Sequence, residues 1–175
     1  MRLTKAATKK KATQVEDVIL FKVCGHRFAI AANAVDEIRN LEGLSPLPPA
    51  LKHPRLAKVK AVLVREKKDP EKAYFVVDAA SHFGLSGGEA GRVLVLRGSS
   101  GALQVENIDR MTQISTVVAL PLAFTGQERA WYRGFPLLSD QVVPLVSPES
   151  FLNKGEQAVL QAGWKGLRAA QGATA

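Results

Sequence analysis

The chain has 175 residues, 46% of them hydrophobic and 23% charged, the balance of one globular domain or of two small ones sharing an interface. Its single cysteine, Cys24, excludes a disulfide framework and a cysteine-rich metal centre, and it suits a reducing compartment. No apolar run reaches the roughly 18–20 residues of a membrane-crossing helix, and the basic N-terminus lacks the apolar segment of a secretory signal, so a cytoplasmic protein is expected.

The formal net charge of +8 is unevenly placed. Residues 1–13 contribute Arg2, Lys5, Lys9, Lys10 and Lys11 without an acid, and residues 50–72 set eight Lys or Arg against Glu66, Asp69 and Glu71. Each stretch therefore holds +5 and the remainder sums to −2, so the body of the chain is close to neutral. Residues 1–14 read as a solvated basic tail, with weak contact to an anionic membrane surface as a variant.

Period-two patterns dominate the rest. VILFKV (18–23) and RFAIA (27–31) flank Cys24-Gly25-His26, a natural hairpin connection. After a small-residue corner comes VDEIR (35–39), in which alternation puts Val35, Glu37 and Arg39 on one face and Asp36 and Ile38 on the other. The segment 42–54 is a Pro-rich connection, since proline cannot donate to a central ladder. VKAVLVRE (59–66) and AYFVV (73–77) are strands around a charged loop, and DAASHFGL (78–85) is a helical turn capped by Asp78 and stopped at Gly84. SGGEAG (86–91) reads as a break between halves.

The second half repeats the style. GRVLVLR (91–97), ALQVENI (102–108), MTQISTVVAL (111–120) and QVVPLV (141–146) are extended runs, and 123–134 is loop-like. SPESFL (147–152) has a helix start, with Ser147 as N-cap and Pro148 first inside. Residues 155–171 place Leu160, Trp164 and Leu167 at helical spacing. The fold class expected is all-β: two small barrels packed together, at about 15–85 and 86–153, with terminal strands open to exchange, then a helical extension over 154–175.

Catalytic constellations fail on geometry. Asp78, Ser81 and His82 lie on one helical turn, which does not line up nucleophile, base and orienting acid. His26 and His53 stand alone in a turn and a loop, so neither a metal nor a cofactor is expected. GLSGGEAGR lacks the Lys-Ser/Thr of a phosphate loop.

In order along the chain, FKVCGHRFAIAANAVDEIR, KAVLVRE, FVVDAASHFGL, GRVLVLR, ALQVENI, YRG and VVPLVSPESFL resemble the elements of the CheW-like chemotaxis coupling domains, from about Val18 to Leu152. The resemblance implies two five-stranded SH3-like barrels around a shared core. It also implies a non-catalytic adaptor that binds the regulatory domain of a CheA-type histidine kinase and the cytoplasmic tip of a chemoreceptor. Val35 and Glu37 fall on the family's V-x-E, and Arg65 falls on the Arg of its N-L-R-G, which puts Glu37 and Arg65 close together as an ion pair near the binding face. Arg39 joins that face, and Leu63 and Val95 are expected to add exposed apolar contact. Lys60, Leu63 and Glu66 replace the family's Gly, Asn and Gly around Arg65, pointing to a divergent pathway such as pilus or surface-motility control. The competing function is a basic β-barrel that binds nucleic acid, with Trp131-Tyr132-Arg133 as its stacking platform; sparse aromatics argue against it, and no nucleic acid is expected as a partner.

Overall fold

The computed structural model describes residues 15–64, 72–139 and 141–173. The strands β1 (Glu16–Val23) and β2 (His26–Ala31) form a tight hairpin in which Val23 pairs with His26. The two linking residues, Cys24 and Gly25, both take positive φ, +50° and +79°, the twist that a two-residue hairpin turn demands. Next come β3 (Val35–Arg39), β4 (Leu44–Pro46), β5 (Val59–Val64), β6 (Ala73–Asp78) and the short helix α1 (Ala79–Phe83). β7 (Arg92–Leu96) and β8 (Gly101–Val105) follow, then β9 (Asn107–Ile114), β10 (Val117–Val118), β11 (Tyr132–Leu138), β12 (Gln141–Val142) and β13 (Leu145–Val146). The helix α2 (Lys154–Gly172) closes the described chain.

These strands make two curled sheets. One runs β10-β11-β13-β2-β1-β9 with β12 on β11, and the other runs β3-β7-β8-β6-β5-β4. Residues 35–105 thus build one barrel as an insertion between the two halves of the other. Strands cross the expected 85/86 division, as terminal strands open to exchange allow: β1 and β2 join the later strands, and β7 and β8 join the earlier ones. The stretch 86–91 is not a free break. It lies on the first hairpin, where the Cys24 thiol donates to the Gly87 carbonyl and the backbone of Gly88 abuts Cys24.

The central strands of each sheet are buried on both faces, which is why β1, β2 and β5 to β8 read as near-continuous hydrophobic runs. Val18, Leu20, Ala29, Ile114 and Leu145 gather in a cluster made from the first sheet alone, the inside of its own curl. Ala61, Leu63, Val76, Val93, Val95 and Ala102 do the same in the second. The alternate residues meet between the sheets in one shared core, with Phe21, Phe28 and Ile30 against Phe75, Val77, Leu94 and Leu103. A one-residue slip of any of these strands would exchange the two faces, so the register is strongly specified.

Two segments differ from expectation. Residues 132–134, expected within the loop-like stretch 123–134, open β11, which runs on to Leu138, and Leu44–Pro46 within the Pro-rich connection forms β4 at the sheet edge, where Pro46 can sit without donating. SPESFL makes only a three-residue 3-10 turn, Pro148–Ser150, and the Ser147 side chain does not cap it. The long helix starts instead after Asn153. There Asn153 Oδ1 accepts from the Glu156 N–H at 2.9 Å and a Glu156 carboxylate oxygen accepts from the Asn153 N–H at 2.8 Å. α2 buries Leu160 and Trp164 in the shared core, with Leu167 half-buried beside them.

Gly134 of β11 fixes how closely β10 can approach. A Cβ there would lie 2.6 Å from both the Val118 carbonyl oxygen and Val117 Cγ1, and the residue has φ +153°. Gly134→Ala is expected to cost about 2–3 kcal/mol in urea denaturation, because backbone rather than a mobile side chain must give way. Unchanged stability would mean that β10 is loosely held.

Candidate protein-binding surface

β3 carries three of the residues singled out by sequence, and a bulge divides them. Val35 pairs with Leu96 and Glu37 with Val95, so two residues of β3 span one of β7 and Asp36 is the extra one. Cross-strand partners share a face. Val35 therefore joins Leu96 in the shared core, whereas Glu37 and Arg39 lie on the opposite face with Val95 and Val93. The expected common face for Val35, Glu37 and Arg39 is thereby corrected, the cause being the inserted residue. At this edge strand Glu37 and Arg39 remain half-exposed and form an ion pair at 3.6 Å, while Ile38 is exposed. Arg97 closes the bulge: its guanidinium donates to the Val35 carbonyl at 3.5 Å and lies 3.9 Å from the Asp36 carboxylate.

Leu63 and Val95 are not surface residues. Both are buried inside the second barrel, Leu63 opposite Leu44 and Tyr74, and Val95 opposite Ala102 and Glu37. The reason is that this sheet curls onto itself, so the face left over from the shared core is also covered. Arg65 lies outside the described residues.

The exposed apolar surface lies elsewhere, on the first barrel. Val118 pairs with Phe135, and Leu137 with Val142, setting a row across β10, β11 and β12. Val118, Leu137 and Val142 are 47%, 57% and 63% exposed, and Leu122 in the adjoining loop is 90% exposed. The rings of Phe124 and Phe135, 5.7 Å apart, extend the row toward Tyr132. Beside it opens a groove of about 520 Å³ between the first hairpin, α1 and β12, with Phe28, Phe83, Leu85 and Val142 as walls and His26 and Arg27 at the rim. The sequence reading misses this surface because it assigns no strand between 120 and 141; the alternation of Tyr132, Gly134, Pro136 against Arg133, Phe135, Leu137 is the available signal.

The rings of the suspected stacking platform are half-buried against other aromatic side chains. The Trp131 ring packs 4.8 Å from His82, and Tyr132 stacks parallel on Phe83 at 6.1 Å. Burial, with Glu128 as a second cause, pushes the Tyr132 phenol up. The Arg133 guanidinium grips the Glu16 carboxylate with two donors at 2.8 and 3.2 Å.

The residues of the rejected triad part company in space. Asp78 caps α1, one carboxylate oxygen accepting from the Ser81 N–H at 3.2 Å and from the Ser81 hydroxyl at 2.6 Å. His82 points away into a ring cluster of Phe83, Trp131 and Phe151, and its Nε2 has no hydrogen-bond partner. Burial, followed by the nearby Lys58 charge, pushes its pKa down to about 4. No group of His, Cys, Asp or Glu among the described residues is placed to hold a metal ion, and no described helix is long and apolar enough to cross a membrane.

Comparison with known proteins agrees with this geometry. The family model described as CheW-like domain matches residues 17–156. The structure is similar to that of the scaffolding protein TtCheW from Thermoanaerobacter tengcongensis, with a TM-score of 0.65 and 14% sequence identity over 82% of this chain and 97% of that one. No curated protein matches the sequence.

Proposed function

Because this chain belongs to the CheW-like domain family, we propose that it is a non-catalytic adaptor of a bacterial chemosensory system, coupling a chemoreceptor to a CheA-type histidine kinase in the cytoplasm. The observation that carries this reading is the family match over residues 17–156, which takes in both barrels and ends within the first turn of α2. Two surfaces support it. The edge strand β3 presents Glu37 and Arg39 on a backbone held by its ladder to β7, and the row on β10–β12 leaves apolar area in the open where a partner would cover it. The replaced residues around Arg65 favour a divergent pathway, such as pilus or surface-motility control.

The test is retention of a cognate kinase regulatory domain and a receptor tip by the full-length protein. Binding of at least one at tens of micromolar is expected, and retention of neither overturns the coupling role. Glu37→Lys is expected to weaken that binding about tenfold or more while shifting the melting temperature little, since a half-exposed ion pair contributes only about 0–1 kcal/mol. Full binding by the variant would remove β3 from the interface.

A further inference from the structure

The loop joining β4 to β5 carries a charge that the fold leaves unanswered. Two 3-10 turns, Pro49–Leu51 and Pro54–Leu56, send Leu51 and Leu56 into the shared core and keep Lys52, His53 and Arg55 outside. The loop is held at both ends. The Leu47 N–H donates to the Lys60 carbonyl at 3.0 Å, and the Asp78 N–H donates to the Lys58 carbonyl at 2.8 Å. His53 Nδ1 accepts from the Arg55 N–H at 3.2 Å, which fixes the second turn.

Several strand cations elsewhere meet acids: Lys22 and Arg27 lie on Asp109, Arg39 on Glu37, and Arg133 on Glu16. In this loop only Lys58 does, 3.4 Å from Glu156. Lys52, Arg55 and Lys60 are exposed and face no carboxylate among the described residues, and residues 43–64 contain no Asp or Glu. Lys52, His53 and Lys60 rim an open depression of about 370 Å³ whose floor is Pro54, Leu56 and Val59.

We propose that this depression is a docking site for an acidic segment of a partner protein. Lys52 and Arg55 on the braced loop and Lys60 at the start of β5 concentrate positive charge on one side, which carboxylates arriving from outside would answer. The aliphatic floor suits the short stems of Glu and the side chains between them. No Phe, Tyr or Trp lines the site, and His53 alone makes a poor platform for successive bases. The loop also exposes no large apolar side chain that would enter a bilayer. No β3 residue lines the site, so failure of kinase or receptor binding would leave it standing.

The experiment follows the fluorescence anisotropy of a labelled twelve-residue peptide of alternating Glu and Leu, titrated with the full-length protein. Saturable binding is expected, weakening about tenfold or more in the triple variant K52E/R55E/K60E and falling with added salt. The triple variant should keep the wild-type melting temperature, because all three side chains are exposed. The tail variant K9Q/K10Q/K11Q should bind within about twofold of wild type. The proposal is overturned by equal binding of wild type and triple variant, by loss of binding in the tail variant alone, or by no saturation up to about 1 mM peptide. Tighter binding of twelve-nucleotide single-stranded DNA or of phosphatidylglycerol vesicles than of the peptide would also overturn it.

Discussion

Phe75→Ala is expected to destabilise the protein by about 3–5 kcal/mol and to release both barrels together. Phe75 belongs to β6 of the second sheet, yet its ring is fully buried in the core shared with Phe21, Phe28 and Ile30 of the first. Removing it leaves a cavity that neither sheet can collapse into alone, since each is already filled on its other face. Amide exchange read in β1 and β2 should therefore accelerate as much as exchange in β5 and β6. If only the second barrel loosened, the shared core would not be the element that joins them.

A second large effect is expected with pH. His82 is buried among Phe83, Trp131 and Phe151 and has its pKa pushed down to about 4, first by burial and then by the charge of Lys58, the nearest cation on the β5 side, itself paired with Glu156. An unfolded histidine titrates near 6.5, so between those values the unfolded chain binds the extra proton. Stability from the neutral ring is fully present above about pH 6.5 and is lost as pH falls toward 4. Between pH 7 and pH 4.5 the loss from this group should be about 2–3 kcal/mol in urea denaturation. His82→Phe keeps a ring in the cluster and should shrink that pH-dependent difference by the same amount. An unchanged difference would assign the acid sensitivity to other groups.

The central strands were legible because both their faces are buried, leaving long apolar runs bounded by Gly, Pro and charge. The division into barrels was not. It depends on where the chain passes from one sheet to the other, and two short crossings decide that: Ala32–Ala34, between β2 and β3, and the single residue Glu106, between β8 and β9. ALQVENI reads as one strand, with nothing in its alternation to show that Val105 and Asn107 belong to different sheets. Glu106 holds the crossing by donating its N–H to the Lys22 carbonyl at 2.9 Å and accepting from the Gly25 N–H at 2.7 Å, contacts more than 80 residues away in sequence. Of the residues expected at the binding face, Glu37 (by family position) and Arg39 (by alternation) stay half-exposed on β3. The inward fate of Val35, Leu63 and Val95 was not legible, because a bulge and the curl of a sheet are tertiary facts that a period of two cannot express.

Those crossings also set an order of events for a chain leaving the ribosome. The β1–β2 hairpin emerges first but finds its neighbours only in β9 and β13, so it has no sheet to join until residues 107–146 have been made. The barrel of residues 35–105 has every strand in hand before then and can close around its own interior. During that interval the early hairpin exposes Ile19, Phe21, Phe28 and Ile30, and the nascent second barrel offers the complementary apolar face. The first hairpin is therefore expected to rest against the barrel with which it shares a core until β9 and β13 complete its sheet.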